Sequence, residues 1–95
     1  MTKESNLVKK LSAYCKSKGI FYLNLQSTNI SGIPDAMLCL DGKYIWFELK
    51  KEDGTGRVSP LQKYIHQKMK DNNMIVFVVS SITEIKEIID NVFTV

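Results

Sequence analysis

Three charged residues, Asp35, Glu48 and Lys50, bracket a stretch that is otherwise largely apolar, GIPDAMLCLDGKYIWFELKK over residues 32–51. Two carboxylates and an amine can hold a divalent cation, orient water and stabilise negative charge, provided the chain brings them together. A hairpin does this. Asp41-Gly42 tolerates the positive φ of a two-residue type I′ turn and separates two runs suited to strands. That turn pairs Leu40 with Lys43, and extending the pairing sets Asp35 opposite Glu48. Opposed residues point to the same side of a sheet with Cβ atoms roughly 5 Å apart, and Lys50, two residues beyond Glu48, shares that side.

Facing carboxylates repel one another unless one is protonated or a cation sits between them. Hard oxygen ligands on a rigid sheet, with room left for water and phosphate oxygens, suit Mg²⁺ or Mn²⁺. The backbone carbonyl of Leu49 is a further candidate ligand. Such an ion acidifies a bound water and stabilises charge on a phosphate, so the chemistry implied is phosphodiester hydrolysis. Lys50 would orient or deprotonate the attacking water, or stabilise transition-state charge; sequence does not separate these roles.

The surrounding pattern supplies elements to position the three residues. Leu7, Val8, Leu11, Tyr14 and Cys15 recur at spacings of three and four, predicting a helix from about Glu4 to Lys18, ended by Gly19. Alternation of Phe21, Leu23 and Leu25 predicts a strand over 20–26. After the hairpin and a polar KEDGTGR loop, Ser59-Pro60-Leu61-Gln62 reads as a capping box opening a helix to about Asp71, with Leu61, Ile65 and Met69 as its inward stripe. MIVFVV predicts a strand buried on both faces and parallel to the strand ending at Lys50. Ser81 to Glu84 is a second capping box, before a helix lined by Ile82, Ile85, Ile88, Ile89 and Val92. The order αβββαβα describes one α/β domain over residues 1–95, a central mixed sheet flanked by helices.

These residues carry a resemblance. Pro34-Asp35 followed by Glu48-Leu49-Lys50 resembles the PD-(D/E)xK nuclease motif, and αβββαβ is similar to the restriction-endonuclease-like core of that superfamily. Gly32-Ile33-Pro34-Asp35, the hairpin ending FELKK and Pro60-Leu61-Gln62 resemble, more narrowly, the VRR-NUC domain, the virus-type replication and repair nuclease. Ser31 stands where many relatives have a basic residue. The resemblance implies a Mg²⁺- or Mn²⁺-dependent deoxyribonuclease with Asp35 and Glu48 as metal ligands and Lys50 as the catalytic lysine. It also implies a homodimer working on branched DNA such as four-way junctions, in the manner of Holliday-junction resolvases, in a bacterial or phage-infected cytoplasm.

Other residues carry two readings each. Glu4 is an acid in a first helical turn, where the macrodipole favours it, yet it heads the inward stripe. A first-helix glutamate completes the site in the family, as a metal ligand or a water-mediated contact. Gln62 has its place in the capping box, and the resemblance puts a glutamine at this helix start near the active site; the roles are compatible. Lys51, Arg57, Ser59 and Lys63 are candidate contacts to backbone phosphates, or parts of a solvated basic surface. His66, the one histidine, reads as a surface or packing residue. DGTGR lacks the GK[ST] ending of a P-loop and reads as a mobile loop able to clamp DNA. Tyr44 and Trp46 read as core or dimer-interface residues.

Composition sets the outer bounds. With 95 residues and 44% hydrophobic content, the chain suits one compact domain. The apolar run Met74 to Val79 is far short of the roughly 20 residues needed to cross a bilayer, so no membrane role is expected. The start MTKESNLVKK lacks the pattern of a secretory signal, which together with two cysteines, Cys15 and Cys39, points to the cytoplasm and to small core thiols rather than a disulfide framework. A net charge of +3 permits a phosphate-bearing partner without demanding one. The competing functions are a non-catalytic nucleic-acid-binding module of the same fold and a structural dimer. Neither requires opposed carboxylates.

Overall fold

The computed structural model describes residues 3–51 and 56–93, with side chains from residue 6 onward in the first helix. The elements are α1 (Lys3–Lys18), β1 (Phe21–Asn24), β2 (Ala36–Leu40), β3 (Lys43–Leu49), α2 (Pro60–Asp71), β4 (Val76–Val79) and α3 (Ile82–Phe93). The sheet order is β1-β2-β3-β4, antiparallel through β3, with β4 parallel to β3 across the α2 crossover. The expected αβββαβα order and mixed sheet are both present.

The hairpin register follows from its turn. Asp41 and Gly42 have φ of 52° and 81°, the left-handed backbone a type I′ turn needs. Leu40 therefore pairs with Lys43, and the ladder runs back to Ala36 opposite Phe47. One face of the sheet carries Ala36, Leu38, Ile45, Phe47, Leu49 and Val79, all buried in one cluster with Leu7, Leu11 and Cys15 of α1 and Ile85, Ile89 and Phe93 of α3. The other face carries Phe21, Leu23, Met37, Cys39, Tyr44, Trp46 and Glu48. It is covered only in part: Phe21 is 59% and Tyr44 53% exposed.

Four expectations need correction. β1 is shorter than residues 20–26, although Leu25 still donates its N–H to the carbonyl of Asp35 at 2.7 Å. Its Phe21 and Leu23 face away from the main core, and Tyr22 between them packs against it. In α2 the predicted inward stripe is displaced: Leu61 is exposed, Ile65 and Met69 are half-buried, and the one fully buried residue is His66. β4 lies at a sheet edge, so Ile75 and Val78 are exposed rather than enclosed on both sides. Finally, Glu84 caps α3 one residue early. Its N–H reaches Ser81 Oγ at 3.1 Å, but its carboxylate accepts from the Ser80 amide at 3.0 Å rather than from Ser81. Among the described residues no helix is long and apolar enough to cross a membrane.

The loop from β1 to β2 is fastened beneath α2 at Gly32. Its φ is +87°, and a Cβ there would lie 2.8 Å from Ile65 Cγ1 and 3.1 Å from Leu61 Cγ. Gly42 also has a positive φ, but a Cβ there would meet nothing within 4 Å. Gly32→Ala should thus lose more stability than Gly42→Ala, about 2–4 kcal/mol against about 1–2, because overpacking adds to the left-handed strain. Urea unfolding of both variants measures the difference; equal losses would mean that Gly32 is not clamped by α2.

Candidate active site

Glu48 is the centre of the site. It sits near the end of β3, only 2% exposed, on the sheet face where α2 crosses. Asp35, just before β2, lies across from it in the extended register. Asp35 Oδ2 accepts the Leu49 N–H at 2.8 Å, and the Asp35 carbonyl accepts from Leu25, so both ends of this residue are tied to strands. The buried Pro34 precedes it and anchors the strand entry. Leu49 thus enters the site through its amide.

Lys50 and Gln62 complete a hydrogen-bonded cluster on Glu48. Lys50 Nζ lies 3.2 Å from Glu48 Oε2 and donates to Gln62 Oε1 at 3.3 Å. Gln62 Nε2 donates to Glu48 Oε2 at 2.8 Å. The same Gln62 is the reciprocal residue of the α2 cap: its Oε1 accepts from the Ser59 N–H at 2.9 Å, and its own N–H reaches Ser59 Oγ at 3.2 Å. Because Oε1 is committed to two donors, Nε2 must face the carboxylate. Capping and site positioning are one interaction, and Ser59 acts as its anchor.

His66 is the residue that sequence reasoning missed. One helical turn beyond Gln62 and on the same face, it is 5% exposed, with Nε2 3.6 Å from Glu48 Oε1. Among the described residues neither Glu48 Oε1 nor His66 Nε2 has a hydrogen-bond partner. The available signal was the spacing of four from Gln62, which places both side chains on one side of α2. Beside His66 a cleft of about 340 Å³ opens between α2 and β4, lined also by Val58, Lys63, Gln67, Lys70 and Val78. Lys63 therefore lies next to the cluster, joined by Lys70. Lys51 and Arg57 are exposed and stand outside the hydrogen-bonded group. The Glu4 side chain lies outside the described residues, as do residues 52–55 of the KEDGTGR loop. Gly56, where the chain returns, runs against Lys50, 3.2 Å from its Cβ and Cδ to an added Cβ.

Electrostatics reflect this crowding. Burial, and next the negative charge of Asp35, push the Glu48 carboxyl up to about 7, against the pull of Lys50. Burial, followed by the positive charges of Lys70 and Lys50, lowers the His66 imidazole below its usual range and keeps it neutral. Among the described residues no three His, Cys, Asp or Glu side chains converge as a ready-made metal cage. Asp35 and Glu48 are two acids, and the third expected is Glu4.

A mixed four-stranded sheet flanked by helices, with an acid before β2 and an acid and lysine at the end of β3, defines a nuclease-like α/β core. Its fold matches a solved structure described as a VRR_NUC domain, with a TM-score of 0.81, 26% sequence identity, and coverage of 95% of this chain and 97% of that one. The likeness to the VRR-NUC domain suggested by the motifs therefore holds in three dimensions, and it supports a nuclease-type function. No family model matches the chain, and no curated protein does.

The raised Glu48 carboxyl has a consequence for stability. In chelator-treated protein the folded state keeps a proton on Glu48 that the unfolded chain releases near 4.5, so this group disfavours folding increasingly as pH rises from about 4.5 to 7. His66 slopes the other way, so the contribution is read as a difference. Glu48→Gln should gain on wild type across that interval, reaching on the order of 1–3 kcal/mol and levelling off above pH 7. Urea midpoints at pH 4.5, 6, 7 and 8 check this, and a difference independent of pH would show Glu48 to be ordinary.

Proposed function

We propose that the protein is a Mg²⁺- or Mn²⁺-dependent deoxyribonuclease that hydrolyses phosphodiester bonds. The observation that carries this reading is the pair Asp35 and Glu48, held in opposition with Lys50 beside them, inside a fold shared with a VRR_NUC domain. The residues fit a hard divalent ion. Among the described residues the buried Glu48 Oε1 has no hydrogen-bond partner, and an orphaned carboxylate oxygen is a group that a cation would satisfy. Asp35 and Glu48 would hold the ion, with the Leu49 carbonyl and Glu4 as further candidates. When bound, such an ion supplies acidification of water and stabilisation of charge on the scissile phosphate.

The chain's own residues account for the rest of the chemistry. Gln62 fixes the Glu48 carboxylate and keeps its orientation through the helix cap. An ammonium has three donors, and Lys50 spends two on Glu48 and Gln62. Among the described residues the third has no partner and can meet a water or a phosphate oxygen, favouring a role in orientation and charge stabilisation. Lys63 and Lys70, lining the neighbouring cleft without an ion pair among the described residues, would take backbone phosphates, with Lys51, Arg57 and Ser59 extending that basic rim.

Purified protein should nick DNA in Mg²⁺ or Mn²⁺ and not in chelator, with branched or four-way-junction substrates preferred over linear duplex and single strands. Asp35→Asn should abolish cleavage with stability unchanged or raised, since an asparagine oxygen can still accept the Leu49 N–H. Lys50→Ala should slow it by about 10²-fold or more. Metal-independent cutting, or wild-type rates in Lys50→Ala, would exclude this mechanism.

The working unit is proposed to be a homodimer in the cytoplasm of a bacterium or phage-infected cell. Support comes from the open sheet face, where Phe21, Leu23 and Tyr44 are exposed beside the edge-to-face pair Tyr44–Trp46, with ring centroids 5.4 Å apart. Both cysteines are unpaired, as a reducing compartment allows. Two copies would give two sites for paired cuts. Sedimentation should report twice the chain mass, reduced to the monomer by Tyr44→Glu; a monomeric wild type at micromolar concentration rules the dimer out.

A further inference from the structure

Glu48 uses one oxygen for the protein and leaves the other facing a single nitrogen. Oε2 takes Gln62 and Lys50, whereas Oε1 is orphaned and faces His66 Nε2, itself orphaned and buried. Their separation of 3.6 Å exceeds hydrogen-bonding distance, so the two groups do not satisfy each other directly. Two buried, unpaired polar atoms at this spacing are costly unless something lies between them. One divalent ion can bridge such a gap with little movement, given ligand distances near 2.1 Å.

We infer that His66 is a nitrogen ligand to the divalent cation that Glu48 holds, making the site an oxygen–nitrogen one that favours Mn²⁺ over Mg²⁺. This rests on the metal-dependent reading above and adds a ligand that the acid pair and the lysine motif do not contain. Any cation taken by Glu48 through its available oxygen comes within reach of the imidazole. An imidazole ligates through a ring nitrogen that carries no proton, and Nε2 is the nitrogen that faces Glu48 Oε1. Its backbone is held by a helix whose cap is tied to the same carboxylate, so Gln62 and His66 approach the two Glu48 oxygens one turn apart. Mg²⁺ prefers oxygen and gains little from an imidazole, while Mn²⁺ accepts nitrogen readily.

The test uses the full chain, free of any histidine tag, because His66 is then the one imidazole present. Pulsed electron paramagnetic resonance on bound Mn²⁺ should show imidazole ¹⁴N modulation, replaced by a ¹⁵N pattern after growth on labelled histidine. Titration calorimetry should give His66→Ala a loss of Mn²⁺ affinity of about 10-fold or more, with Mg²⁺ affinity changed by less than about 3-fold. His66→Gln, which retains size and polarity, should show the same selective loss and guards against a folding defect in the alanine variant. Bound Mn²⁺ with no imidazole coupling overturns the role of His66 and leaves the nuclease reading intact. An equal loss for both metals also overturns it, identifying His66 as a positioning residue for Glu48. Absence of bound Mn²⁺ overturns the role of His66, and absence of bound Mg²⁺ as well overturns the metal-dependent reading.

Discussion

A carboxylate buried almost completely, as Glu48 is, has to be given donors by its surroundings, and this structure gives them to one oxygen only. The register of a two-residue turn puts Asp35 across from it, the strand carries Lys50 to its side, and the helix cap presents Gln62. Without that amide and that ammonium, two ionised acids at one end of a hairpin would repel each other and weaken the pairing. The site and the fold therefore share their supports. The α2 cap, the β2–β3 register and the packing of Gly32 beneath α2 all bear on the same carboxylate.

The two faces of the sheet divide the labour. One is closed by α1 and α3 around Leu38, Ile45, Phe47 and Leu49, and it supplies the hydrophobic stabilisation of a small domain. The other is closed only where α2 crosses it, leaving polar chemistry at one end and exposed apolar residues at the other. Side chains at the adjoining ends of β2 and β3, with a helix terminus above them, are held more narrowly than residues of a long loop would be.

Much of this was legible in the chain. Asp41-Gly42 fixes a turn type through the positive φ it tolerates, the turn fixes a register, and the register sets Asp35 against Glu48. Ser59 and Gln62 announced the start of α2 because capping is a local reaction of neighbouring backbone groups. Hydrophobic periodicity was less informative where burial was one-sided. Leu61, Ile65 and Met69 have the right spacing for an inward stripe, yet α2 is rotated so that Gln62 and His66 face the sheet. Periodicity counts apolar residues, and it cannot register a helix turned toward a charged group. The same limit applies to Phe21, Leu23 and Val78, whose apolar side chains lie on the open face.

Sequence by itself determined the element order, the hairpin register and the convergence of Asp35, Glu48 and Lys50, since each depends on short-range rules of turn geometry, capping and strand alternation. Only the tertiary structure decided how α2 rolls on the sheet, and with it which oxygen of Glu48 is satisfied and that His66 faces the other. That choice is made by packing between residues far apart in the chain: Gly32 admits Leu61 and Ile65 on one side, and the buried carboxylate draws Gln62 in on the other. No local pattern encodes the balance between these two contacts.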